Sequence, residues 1–245
     1  MTAEPRVTYE VEGSVATIVM DDGKANVLSP GMLAELGAAL DRAEADGAVV
    51  VLTGREGRFS GGFDLGVINA GGPEAVGMIR GGFELAARLL AFPTPVVIAA
   101  SGHAVAMASF LLCSADYRLG AAGPYKITAN EVAIGMVLPY AAIEICRQRL
   151  APAHFHRALA LAEVYSPEGA VEAGFLDRVV PPGELRRAAH DVAAGLAELD
   201  LAAHAASKAR VREAALTAIR AAIEVDDAAL QTPAPEPAPA SAPAQ

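Results

Sequence analysis

The longest uncharged stretch of the chain lies between Arg88 and Asp116, and its residue types can receive an anion. Val96 to Ala100 (VVIAA) is apolar on both faces, as a buried strand is. Ser101-Gly102-His103 then breaks the run, and Met107 to Ala115 follows as a short apolar helix that Asp116 helps to end. A helix entered this way leaves backbone N–H groups without partners. They carry partial positive charge, and in a dry interior they form half of an oxyanion hole. The alternative is an ordinary βα unit of a parallel sheet. A membrane helix would need the stretch to be continuous, and Pro93, Pro95 and the polar break argue against that.

Other segments carry less chemistry on their own. The loop GREGRFSGGFDLG, Gly54 to Gly66, is too glycine-dense to be filler. Glu131, in NEVAIGMVLP, taken alone reads as a solvated loop glutamate. Five histidines make no convincing ligand set, and His154 and His156, two apart on a helix, diverge. With no HExxH and no EF-hand loop, no metal is expected. Cys113 and Cys146 have neither metal nor redox spacing and read as reduced thiols of a cytosolic protein. The chain has no GxGxxG after its first strand, no GxxxxGK[ST] and no GxSxG, so nucleotide folds and the hydrolase elbow lose support.

The elements that must position these residues alternate. Arg6 to Met20 reads as a hairpin turning at Glu12-Gly13-Ser14, Met32 to Ala45 as a helix, Val49 to Thr53 as a buried strand. Glu74 to Ala91 is an amphipathic helix with Val76, Ile79, Phe83, Ala87 and Leu90 at spacings of three and four. After the central stretch, Tyr117 to Ile127 reads as strand and bend, with helices over Pro139 to Leu150 and Ala153 to Glu163. Ser166-Pro167 starts another helix and Gly174 ends it. Val179-Val180 is a last strand, and helices cover Leu185 to Leu196 and about Leu201 to Leu230. Thr232 to Gln245, TPAPEPAPASAPAQ, cannot bury a core and is expected to be disordered. The pattern predicts an α/β core.

Composition narrows the classes. At 245 residues and 53% hydrophobic the chain can bury one large core. A net charge of −10 without a basic stripe argues against nucleic acid. MTAEPRVTYEVEG has no apolar signal core, so a cytoplasmic location and no membrane association are expected.

Three blocks in order resemble the crotonase, or enoyl-CoA hydratase/isomerase, superfamily over roughly Val7 to Leu230. KANVLS, Lys24 to Ser29, resembles the loop that wraps the CoA moiety. FSGGFDL, Phe59 to Leu65, resembles F-[SC]-[AG]-G-x-D-L, and Ser101 to Gly120 resembles the G-x-x-x-G-G-G segment. SPEGAVEAGFLDRVVP, Ser166 to Pro181, is similar to the helix and strand that follow the core. The resemblance implies a spiral of ββα units over 1–184, a helical oligomerisation region over 185–230 that forms a homotrimer or dimer of trimers, and a tail over 231–245. It also implies an acyl-CoA thioester as substrate, with no further cofactor.

Carried over by position, the resemblance makes the Phe63 and Met107 N–H groups the two oxyanion donors. Alanine and methionine replace the usual glycines at Ala106 and Met107, so the methionine side chain must point away from the thioester. Of the two glutamates of a hydratase, the first falls on Phe110, which can orient no water, and the second on Glu131. One base with an oxyanion hole suits a Δ3-to-Δ2 enoyl-CoA isomerase. Asn130-Glu131, Gly135, Pro139 and Tyr140 are similar to its mitochondrial type. Val132, Ile134, Met136, Val137 and Phe110 are expected to form an apolar pocket that raises the Glu131 pKa. Lys24, Ala25, Val27, Gly62, Asp64, Leu65, Phe110 and Pro139 are the expected substrate-binding residues. Asp64 is expected to brace its loop. Gly66 stands where the family often has a phosphate-binding lysine, which leaves Lys24, Arg55 and Arg58 for that contact. The alternatives are a hydratase or other crotonase reaction with a base recruited elsewhere, and an inert acyl-CoA-binding protein.

Overall fold

Two sheets meet at glycine corners. The structure, a computed structural model, describes residues 5–231. Strands β1 (Val7–Glu12) and β2 (Val15–Met20) form the antiparallel hairpin. Parallel to β2 run β3 (Val49–Gly54), β5 (Val96–Ala100), β7 (Tyr117–Ala121) and β9 (Arg178–Val180), in the order β1-β2-β3-β5-β7-β9. A second, all-parallel sheet contains β4 (Gly57–Ser60), β6 (Gly102–Val105) and β8 (Ile127–Thr128). Each turn of the chain thus places one strand in the large sheet, bends, and places a short strand in the small one. This is the expected ββα spiral. A Cβ at Gly54 would lie 2.3 Å from the Arg58 carbonyl oxygen, and one at Gly102 would lie 2.0 Å from Gly57 C. Successive corners therefore stack backbone on backbone, which only glycine permits.

The large sheet is buried on both faces, as its unbroken apolar runs require. Val50, Leu52, Val96 and Ile98 face a core shared with α1 (Pro30–Ala45), α3 (Gly72–Ala91) and α4 (Met107–Ser114). Val49, Val51, Val97 and Ala99 face Leu185, Ala189 and Ala193 of α8 (Leu185–Ala197). Helix α7 (Pro167–Ala173) starts and stops where its caps say: Ser166 Oγ accepts the Gly169 N–H at 3.1 Å, and Gly174 is left-handed.

The gap between Gly54 and Gly66 is not one loop, because it holds β4 and the start of α2 (Leu65–Ala70). Likewise Gly102 and His103 belong to β6 rather than to a simple turn. The whole small sheet escapes sequence reading because strands of two to four residues carry too little alternation to register. Helices α5 (Tyr140–Arg147) and α6 (Pro152–Ala160) are shorter than their patterns. The last helix, α9 (Leu201–Gln231), packs back on its own chain, burying Leu216, Ile219, Ala222 and Ile223. Asp116 anchors it, accepting from the Val96 N–H and pairing with Lys208 Nζ at 2.6 Å and an Arg212 guanidinium nitrogen at 2.9 Å. Residues 232–245 of the expected tail lie outside the described residues, and Gln231 closes α9. No helix among the described residues is long and apolar enough to cross a membrane.

Candidate active site

The two expected donors meet at one corner. Gly62 has φ +86°, and a Cβ there would lie 2.8 Å from the Val105 oxygen, 2.9 Å from Ala106 Cβ and 3.4 Å from the Met107 nitrogen. This close approach packs the Gly62 turn, which leads into Phe63, against the backbone nitrogen of Met107. Ala106 turns β6 into α4 with φ 53° and ψ −125°, a conformation costing on the order of 1–3 kcal/mol for a non-glycine residue. The surroundings hold it there. Its N–H donates to the Thr128 carbonyl at 2.9 Å, and its carbonyl accepts the Ser109 N–H at 2.8 Å and hydroxyl at 2.7 Å. Neither the Phe63 nor the Met107 N–H has an acceptor among the described residues, so both can serve an incoming oxygen.

Side chains clear this corner. The Phe63 ring fills a notch at Gly82 of α3, where any Cβ would lie 2.4 Å from it. It meets Phe83 edge-on at 6.1 Å between centroids, and Phe83 stacks on Phe110 at 6.3 Å. Met107 is fully buried, with Cγ against the same Gly82 notch. Its side chain therefore enters the core and leaves its own N–H uncovered. Phe110 is also core, 1% exposed.

The loop before the first donor is braced by a residue that the sequence reading passed over. Asn26 is fully buried at φ 52°, and its Nδ2 donates to the Met20, Arg58 and Phe59 carbonyls. Ser60 Oγ donates to the Asn26 carbonyl at 2.6 Å and accepts the Gly62 N–H at 3.2 Å. Asp22 gathers the N–H groups of Lys24, Asn26 and Val27. Burial opposes it, but these donors hold the Asp22 carboxyl below its ordinary value. The Ala25 carbonyl accepts the Gly61 N–H at 2.9 Å. Its place in the Asp- and Gly-bearing loop DDGKAN, where asparagine tolerates a positive φ, is the signal that could have marked Asn26.

Asp64 caps α2 by accepting the Gly66 N–H at 2.8 Å, and Leu65 begins that helix half in solvent. The Arg55 guanidinium lies on the Lys24 carbonyl, while the Lys24 and Arg58 side chains are exposed. His103 takes the Lys126 N–H on Nδ1 at 3.0 Å. Among the described residues no cluster of three or more His, Cys, Asp or Glu side chains forms a metal site.

Glu131 sits three residues beyond β8, at the entry to a 3-10 turn over Val132–Ile134. It is 7% exposed, and burial pushes its carboxyl up to about 7, partly offset by its own backbone N–H. The expected apolar pocket is only partly formed. Val132, Ile134 and Val137 are 46%, 50% and 91% exposed, because the 3-10 turn directs them outward while Glu131 turns in. Burial of the carboxyl comes from the core behind it. Pro139 precedes α5, whose first N–H groups, of Tyr140 and Ala141, donate to Asp226 of α9 at 2.9 and 2.8 Å.

A buried carboxyl near neutrality, on a segment tied to the donor corner through the Thr128 carbonyl, is a group that can move a proton on a carbon acid whose oxygen becomes an anion. The family model for enoyl-CoA hydratase/isomerase matches residues 10–236, and the chain belongs to that family. A solved family protein from Pseudomonas syringae is 45% identical, covers 92% of this chain and 98% of its own, and has a TM-score of 0.90. A Mycobacterium tuberculosis protein 48% identical has been solved twice. One structure, described as an enoyl-CoA isomerase, covers 91% of this chain and 98% of its own with a TM-score of 0.88. The other, described as a probable enoyl-CoA hydratase, covers 91% and 95% with a TM-score of 0.89. Mouse mitochondrial enoyl-CoA delta isomerase 1 is 31% identical over 78% of this chain and 68% of its own length.

Proposed function

We propose that the protein is a Δ3,Δ2-enoyl-CoA isomerase using Glu131 as its one acid–base group. The observation that carries this reading is the pairing of a buried Glu131, its carboxyl near 7, with an aromatic core residue at Phe110. A single carboxylate lying over C2 and C4 takes a proton from C2 and returns it to C4, so the double bond moves without water. The dienolate formed between the two steps carries negative charge on the thioester oxygen, which in this reading accepts hydrogen bonds from the Phe63 and Met107 N–H groups. Each such donor typically contributes roughly 3–4 kcal/mol. Lys24, Ala25, Val27, Gly62, Asp64, Leu65 and Pro139 line the approach in this reading, the acyl-CoA is the only small molecule needed, and neither nucleic acid nor membrane takes part. The outward Val132, Ile134, Val137 and Tyr140 suit burial against further copies, as in a homotrimer or dimer of trimers.

The test is turnover of a 3-enoyl-CoA and separately of a 2-enoyl-CoA, followed in the conjugated thioester band. Absorbance is expected to rise with the 3-enoyl substrate and the rate to fall about 10²–10⁴-fold in Glu131→Gln. A fall on the 2-enoyl substrate as the dominant reaction would make the protein a hydratase. Binding without any turnover would make it an acyl-CoA-binding protein.

A further inference from the structure

From the end of β8 into the turn that carries Glu131 lie three buried oxygens with no hydrogen-bond partner among the described residues: Thr128 Oγ1, Asn130 Oδ1 and Glu131 Oε2. Thr128 is 4% exposed. Orphaned polar atoms at such depth are uncommon, and three within four residues of one another point to a shared purpose. The backbone here is fixed. The Asn130 and Glu131 carbonyls both accept the Ile134 N–H, at 3.2 and 3.1 Å, and Glu131 also accepts the Met136 N–H at 2.9 Å. The Thr128 carbonyl accepts the Ala106 N–H, which sets the turn against the donor corner.

A carboxyl that takes a proton from one carbon and returns it to another passes through both protonation states in every turnover. The carboxylate needs hydrogen-bond donors, and the acid needs an acceptor for its O–H. A hydroxyl and a carboxamide each offer both, whereas a neighbouring cation or carboxylate would favour one state. Thr and Asn are therefore suited to a group whose charge alternates. We propose that Thr128 and Asn130 are positioning residues that hold the Glu131 carboxyl in both of its states, with a bound water completing the bridge between the three oxygens. The alternation of states rests on the isomerase reading. From α5 the Cys146 thiol feels the Glu131 charge; burial first, then its hydrogen bond with Cys113 and the nearby negative charge, push it up, so it stays neutral near pH 7.

The experiment reads the carboxyl without turnover: a 13C NMR titration of protein labelled at glutamate Cδ, with Glu131 assigned as the resonance missing from Glu131→Gln. Thr128→Val and Asn130→Leu keep side-chain shape and remove the hydrogen bonds. Hydrogen bonds to a carboxylate are stronger than those to the neutral acid, so each variant should raise the Glu131 midpoint by about half to one pH unit. Thr128→Ser should keep it. On a 3-enoyl-CoA, kcat should fall about tenfold in the two variants with KM little changed. Thr128→Ala and Asn130→Ala give the same comparison should either larger variant fail to fold. Folded variants with an unmoved midpoint overturn the proposal. A shifted midpoint in a protein whose wild type shows no isomerisation upholds the positioning role and overturns the isomerase reading instead.

Discussion

Around the proposed Phe63 and Met107 donors, neighbouring groups are tied down: Asn26 reaches three carbonyls, Ser60 links Asn26 to Gly62, and Thr128 holds Ala106. At the Glu131 turn the backbone is equally fixed, yet side-chain oxygens have no partner among the described residues and apolar side chains face outward. The two regions touch, and they solve different problems. Donors for a developing anion serve best when they cannot move, because no reorganisation is then needed at the moment of reaction. A base that changes charge must be held without being committed to either state. The over-determined corner and the under-satisfied turn are the physical forms of those two demands.

The largest effect should come from loosening the fixed region. Gly62→Ala puts a Cβ 2.8 Å from a backbone oxygen at a φ that L residues rarely adopt. Turnover is expected to drop about 10²–10³-fold, the loss of one donor, with the melting temperature lowered by several degrees. Thermal melts and 3-enoyl-CoA turnover check this. A rate within about threefold of wild type would mean that the Phe63 N–H is not a donor.

The next effect is on stability and has the opposite sign. The folded Glu131 carboxyl holds its proton up to about 7, against an ordinary value of 4.5. Below 4.5 both folded and unfolded chains are protonated and nothing is lost. As pH rises through the window from 4.5 to 7 the unfolded chain alone releases the proton, so folded stability declines. Glu131→Gln, always neutral, should therefore be more stable than wild type at pH 8 by about 3 kcal/mol, with the gap narrowed to about 1 kcal/mol at pH 5 and closed below pH 4. Urea unfolding at the two pH values measures it. Equal stability at pH 8 would mean the carboxyl is solvated.

Ala106 offers the smallest test of how rigid the corner is. Replacing it by glycine relieves the strain of φ 53° and ψ −125°, and Ala106→Gly should gain about 1 kcal/mol. A loss of stability would mean that the alanine methyl packs well enough to outweigh the strain.

Much of this was legible in the chain. The buried strands, the Ser166 and Gly174 caps and the face of α9 follow from residue type and spacing, because they rest on local period and capping, whereas α3 buries Met78, Leu85 and Leu89 beside Phe83, Ala87 and Leu90 and leaves Val76 and Ile79 half-buried. The proposed donors at Phe63 and Met107 and the proposed base at Glu131 rest on the order of three blocks resembling a family. The small sheet was not legible, since two to four residues have no pattern. The outward aim of Val132, Ile134 and Val137 was hidden because one 3-10 turn decides it.

Residue type and local spacing carry a doubly buried parallel sheet, a glycine-rich loop before Phe63, a glutamate at position 131 and an aromatic residue at position 110. Only the tertiary structure decided whether these parts could act together. Gly62 meeting Met107, the Gly82 notch that draws Phe63 and Met107 inward, and the Asn26 brace all join residues far apart in the chain. Glu131 acquires its raised pKa from burial, which belongs to the packed core and to no residue alone.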